Sequence, residues 1–273
     1  MKKLTLKDYL IIYLIILVIV SFIAGFFIGA RAMKNEINNY TNYTDSQETE
    51  KVYLENEIEI FCNQIFLLAQ TFNSEVFYYL NKNEEINEGD QELLITTGEN
   101  ILINYELSTF ESPNLANSID ELTLNISLLL ELINSYNPDQ VSEVVAHYLS
   151  GQKEFYRSLW IWEQSLKAGT KIVKECSTDW KTWTEGSLHQ KNYIVSTILE
   201  NNSIKTFYRP EDITVHIDSF IYNEDNKTSI SLEDLIKLLI SSDSINEKDF
   251  IDYLNMYPDW YSSDVLPDMS IFK

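Results

Sequence analysis

Between Asp8 and Arg31 the hydrophobic pattern has no polar phase. The segment Tyr9 to Ala30, YLIIYLIILVIVSFIAGFFIGA, is twenty-two residues without a charge. At the rise of an α-helix it spans about 33 Å, close to the hydrocarbon thickness of a bilayer. The pattern therefore predicts a transmembrane helix at 9–30. The run is too long for the apolar core of a cleaved leader, and no Cys follows it to carry a lipid.

After this run the pattern changes. Residues 31–49 are mostly polar and read as a stalk. Beyond them apolar positions recur at spacings of three and four, the signature of helices that bury one stripe. Leu54, Ile58, Phe61, Ile65, Leu68 and Phe72 form a first seam, in a helix running to about Leu80. A second helix, near Gln91 to Phe110, is less regular and contains Gly98. Ser112-Pro113 reads as an N-cap and first helical residue, followed by a seam of Ile119, Leu122, Ile126, Leu129, Ile133 and Tyr136. Asn137-Pro138-Asp139-Gln140 opens a fourth helix in the same way. Val141, Val145, Tyr148, Phe155, Leu159, Trp162 and Leu166 keep its phase, with Gln152 interrupting and Gly169 as a stop.

The last hundred residues are less periodic. One helix is expected over Trp180 to Leu199, with Gly186 inside it, and another from Pro210 to about Tyr222. Ser231 and Ser244 each stand three residues before an acid, Asp234 and Glu247, as in a capping box, and open two short helices. The tail from Pro258 is aromatic and irregular.

Composition narrows the fold class. The chain has only seven Gly and five Pro, too few for the turns of a sandwich or barrel. Apolar residues at 45% and aromatics at 13% supply a core and argue against disorder. The expected fold is all-α, with one N-terminal transmembrane helix followed by an extracytoplasmic helical bundle. Its parts are a cytoplasmic stretch at 1–8, the membrane helix at 9–30, the stalk at 31–49, a four-helix bundle at 50–168 and a C-terminal helical subdomain at 169–273 packed on the bundle.

Charge sets the orientation. Lys2, Lys3 and Lys7 precede the apolar run, whereas only Arg31 and Lys34 follow it closely. The bias places the N-terminus inside. The whole chain carries −22; residues 1–34 hold five basic side chains and one acidic, so the rest carries −26, and such a domain sits poorly against an anionic cytoplasmic leaflet. The same charge repels polyanions, so no nucleic-acid partner is expected. The expected location is the cell membrane, single-pass, with the C-terminal domain extracytoplasmic.

Candidate contacts are few. Ser21, Gly25 and Gly29 form a small-residue face on the membrane helix through which it could pair with itself or another helix. Cys62 and Cys176 leave two readings open, a disulfide or two free thiols. Trp160, Trp162, Trp180 and Trp183 lie in the most aromatic stretch, either as a buried junction between helices or as an exposed partner surface. Asn39, Asn42, Asn125, Asn201 and Asn226 begin glycosylation sequons.

Two short resemblances do not carry chemistry. Asn223 to Asp234 resembles an EF-hand loop, but Lys227 occupies a ligand position and Thr228 the turn glycine. Ser150-Gly151-Gln152-Lys153 resembles the SxxK pattern of penicillin-binding enzymes without a following KTG. Asp212 and His216, one helical turn apart, read as a surface pair. The pattern assigns no catalytic, cofactor or metal residue.

With eight residues before the membrane run, a cytoplasmic output domain is not expected. The reading is a non-enzymatic interaction or scaffolding module of a cell-envelope complex, with the membrane and other envelope proteins, or itself, as partners. Two alternatives are an envelope-acting hydrolase with an acidic catalytic pair and a ligand-binding accessory subunit of a transporter or receptor.

Overall fold

In a computed structural model, which describes residues 55–81, 87–167, 172–204, 208–223, 230–264, 266, 267, 269 and 271, every regular element is helical. Among the described residues no helix is long and apolar enough to cross a membrane. The run at 9–30, its Ser21, Gly25 and Gly29, the stalk and Gly169 lie outside the described residues.

The first helix holds a break in phase that its seam does not show. Residues 55–61 are α-helical, Cys62–Phe66 form a π turn, and α1 then covers Leu67–Asn81. In the π turn the N–H of Leu67 reaches the carbonyl of Cys62, five residues back. The extra residue rotates the buried stripe. Ile58, Phe61 and Ile65 are buried as expected, but Ala69 takes the inward place expected of Leu68, which is exposed.

Next come α2 (Glu88–Glu106) and α3 (Pro113–Asn134). Asn87 caps α2 by accepting from the Asp90 N–H at 2.9 Å. Pro113 is the first residue of α3, but Ser112 does not cap with its side chain. Instead the buried Glu57 carboxylate accepts from the N–H groups of Glu111 and Ser112 at 2.6 and 3.0 Å, tying the first helix to the start of α3. Tyr136 lies beyond the end of α3 and is exposed rather than in the seam.

A 3-10 turn at Pro138–Gln140 leads into α4 (Val141–Leu166), with the Asn137 side chain accepting from the Asp139 N–H. This is the helix the rest packs around. α3 covers one side of it and α6 another, so it is buried on several faces. Gly151 permits the closest approach: a Cβ there would lie 2.7 Å from Leu122 Cγ of α3 and 3.2 Å from the Ser118 carbonyl oxygen. The Ser118 hydroxyl bonds the Gly151 carbonyl at 2.6 Å across the same crossing. Gly98 plays the matching part between α2 and α3, where a Cβ would meet Leu130 at 2.7 Å and Phe72 at 2.9 Å. Its place inside the irregular second helix thus has a packing reason. Asn73 and Asn125, both fully buried, exchange amide bonds at 2.7 and 3.1 Å, and Asn125 also bonds the Val144 carbonyl. The Asn125 sequon is therefore enclosed in the core.

The C-terminal helices are α5 (Trp180–Glu185), α6 (Leu188–Asn201), α7 (Pro210–Asn223), α8 (Leu232–Ser241) and α9 (Asp249–Met256). The single helix expected over Trp180 to Leu199 is two. Asp179 caps the first through the Thr182 N–H, and Ser187, directly after Gly186, caps the second. Ser231 does cap α8: its hydroxyl accepts from the Asp234 N–H and donates to the Asp234 carboxylate. Ser244 does not open α9, which starts after Lys248 at φ 76° while Asp249 accepts from the Asn246 N–H. One hydrophobic core runs from Ile58 to Ile271, so Lys51–Lys273 form one compact unit.

Candidate functional site

The aromatic stretch singled out from sequence does not form a surface. Trp160, Trp162 and Trp183 are buried, and Trp180 is half-buried with its Nε1–H donating to the Ile230 carbonyl at 2.8 Å. Trp160 and Trp162 project from different faces of α4, and α4 is enclosed on both. Trp160 stacks on Tyr193 of α6 at 5.3 Å, and Trp162 lies edge-on to His189 at 6.0 Å. Trp160, Trp162 and Trp183 are core residues rather than an exposed platform, while Trp180 keeps part of its surface exposed.

Cys62 and Cys176 are both free. Burial pushes the Cys62 thiol up to about 12 and the Cys176 thiol to about 11. Such thiols are poorly nucleophilic at neutral pH.

Trp183 leads to the site that the sequence pattern missed. Its buried indole lies beneath a cleft of about 270 Å³ whose other lining residues are Thr184, Lys191, Asp218, Ile221, Tyr222, Trp260 and Tyr261. Asp218 organises the floor. Its Oδ1 accepts from Trp183 Nε1 at 2.8 Å and from Lys191 Nζ at 3.0 Å. Its Oδ2 accepts from Lys191 at 2.9 Å and from the Tyr261 hydroxyl at 2.6 Å. Four bonds use the accepting capacity of a carboxylate. Burial, then the nearby Asp218 charge, pushes the Tyr261 hydroxyl far above its ordinary value, so it stays a donor. The Lys191 ammonium also sits 5.7 Å from the Trp183 ring centre and 5.9 Å from that of Tyr261.

The outer wall is an aromatic ladder from α9 and the turn after it. Trp260 stacks on Tyr257 at 4.8 Å and 15°, and leans toward Tyr222 at 5.8 Å and 49°. Tyr253 joins Trp260 at 5.9 Å and links the ladder to His216. Tyr222 is 74% exposed, so the ladder ends in solvent. Asp264 holds the C-terminal segment down by accepting from the Leu188 N–H at the start of α6. The available signal was the spacing of Tyr253, Tyr257, Trp260 and Tyr261, but only the fold brings Tyr222 and Lys191 beside them.

Two other clefts flank the π turn. One, of about 480 Å³, is lined by residues including Glu57, Gln64 and Phe110, and the other, of about 400 Å³, by residues including Asn63, Leu68 and Asn104.

The titratable groups with the largest functional interest are buried elsewhere. Glu211 and Asp212 occupy the first turn of α7 and are almost wholly buried. Glu211 accepts from the Tyr156 hydroxyl, and Asp212 from the Phe250 N–H of α9 at 2.9 Å. Burial first, then the adjacent Asp212 charge, pushes Glu211 up to about 7, and burial pushes Asp212 up to about 6. One oxygen of each has no hydrogen-bond partner. Neither lines any of the three clefts above.

Asp212 and His216 are not a pair, because His216 bonds Asp249 instead, at 2.6 Å. Lys153, the lysine of the SxxK pattern, is paired with Glu200 of α6. Among the described residues no group of three or more His, Cys, Asp or Glu is placed to hold a metal ion. Comparison with family models, with curated proteins and with solved structures finds no match.

Proposed function

We propose that this chain is a single-pass membrane protein whose acidic helical domain lies outside the cytoplasm and serves as a non-enzymatic interaction module of an envelope complex. The anchor rests on the uncharged run at 9–30 and on the Lys/Arg excess before it. The interaction role rests on one observation, the chemistry of the Trp183–Trp260 cleft. Its carboxylate is saturated by Trp183, Lys191 and Tyr261, and its ammonium is engaged by that carboxylate and two rings. Among the described residues the cleft's acid and base are paired with each other, which supports recognition of a ligand rather than its transformation.

A hydrolase reading has one observation in its favour, the raised carboxylates Glu211 and Asp212. Their burial away from the described clefts weighs against it, since a general acid must reach its substrate.

The test is a photo-crosslinking amino acid placed at Tyr222, on the cleft rim, or at Tyr136, which is also exposed. In native membranes an envelope protein should crosslink from position 222 and not from position 136. Recovery of only uncrosslinked chain, or the same products from both positions, counts against the interaction role.

A further inference from the structure

We propose that the groove along the π turn, between the first helix and the end of α2, docks a basic amphipathic helix of a partner protein. This surface is separate from the Trp183–Trp260 cleft and does not depend on it.

The two clefts that flank the π turn share Gln64, Leu107 and Ser108, so they adjoin along one groove. Its apolar residues are Ile60, Leu68, Leu107 and Phe110. The fold leaves them uncovered: Leu107 is 80% exposed, and Ile60 and Leu68 are exposed as well. The π turn makes this face. Its extra residue sends Ala69 inward and leaves Leu68 lining the groove.

Charge selects the occupant. From Glu55 to Gln152 the chain has seventeen Asp and Glu, and Lys82 is the only Lys or Arg. Glu57 lines the groove itself, Glu59 precedes Ile60, and Glu106 precedes Leu107. Among the described residues neither Glu59 nor Glu106 is in an ion pair. Such a field repels a nucleic acid, an anionic lipid surface and a second copy of the same acidic face. A partner that carries Lys or Arg beside apolar side chains meets both features. Its apolar side chains cover Ile60 and Leu107, and its charges face the carboxylates.

The walls select a helix. Both are helical, so an extended segment finds no strand edge to lengthen. Ile60 and Leu68 stand eight residues apart in sequence, about 12 Å along the helix, a span that two turns of an apposed helix match. An amphipathic helix with its apolar face laid into a groove is a recurrent mode of recognition.

Fluorescence anisotropy tests this with the full chain in phosphatidylcholine nanodiscs, read against empty discs, and a labelled peptide of sequence KLLKKLLKKLLKKL. Saturable binding is expected, weakened about tenfold or more by Leu107→Ser and by the double change Glu59→Gln/Glu106→Gln. Leu238→Ser, at an exposed leucine of α8, should leave it unchanged. Leu107→Ser alters a mostly exposed side chain, so it decides the outcome if the double variant unfolds. Absence of saturable binding overturns the proposal, as does equal binding to the wild type and Leu107→Ser. Equally tight binding of decalysine would show a general charge field and overturn it. Sedimentation showing a dimer that Leu107→Ser abolishes would assign the groove to a second copy and likewise overturn it.

Discussion

At the scale of single residues, Glu211 shows how burial overrides position. The first turn of a helix favours a carboxylate, and Glu211 stands there, in α7. Burial still pushes it up to about 7 from an ordinary 4.5, and Asp212 beside it to about 6 from 3.8. Within those windows the folded chain keeps protons that the unfolded chain has released. Raising the pH therefore favours unfolding, and the stabilising contribution is complete only below the ordinary values. For Glu211 the loss is on the order of 2–4 kcal/mol between about pH 4.5 and pH 8. Urea midpoints should fall across that range. Glu211→Gln, which keeps an oxygen to accept from Tyr156, should flatten the slope, while the general self-repulsion of an acidic chain remains in both proteins. An unchanged slope in Glu211→Gln would show that this carboxylate is already ionised in the fold.

At the scale of elements, the α3–α4 crossing depends on Gly151. A Cβ at 2.7 Å from Leu122 forces that side chain aside, and the Ser118 carbonyl at 3.2 Å limits how far α4 can slide. Gly151→Ala should cost about 1–3 kcal/mol by overpacking. In the Leu122→Ala background the same change should cost much less, because the clashing atoms are gone. A double-mutant cycle by denaturant titration measures the difference. Additive losses would place the strain elsewhere. The same crossing explains why a glycine sits within a twenty-six-residue helix that is otherwise unbroken.

At the scale of the whole molecule, the two thiols report both topology and burial. Cys176 is half-buried and Cys62 fully buried, and they are the only cysteines in the chain. With the domain outside the cytoplasm, a membrane-impermeant maleimide applied to intact cells at about pH 8.5 should label Cys176 slowly, as its raised thiol dictates. Cys62 should label only after unfolding. A chain labelled only after lysis would reverse the orientation proposed from the Lys/Arg balance.

How much of this was legible in the sequence depends on the range of the interactions involved. Helical periodicity, the Pro113, Pro138 and Pro210 starts and the Ser231 cap are local, set by side chains within a few residues of one another. They could be read directly, as could the all-helical class that follows from scarce Gly and Pro. The π turn at Cys62–Phe66, which moves Leu68 outward, left no mark in a seam that continued in apparent phase. Likewise the burial of Trp160 and Trp162 on different faces of α4 depends on two helices arriving from different parts of the chain. The cleft lies furthest from local rules. Lys191, Asp218, Tyr222 and Tyr261 come from α6, α7 and the C-terminal segment, and only tertiary packing brings the partners of Asp218 to one carboxylate. The sequence alone determined the helical class, several helix starts and the charge, because those properties reside in neighbouring residues. Tertiary structure decided which aromatics are core and which line a site, because that depends on what distant helices cover.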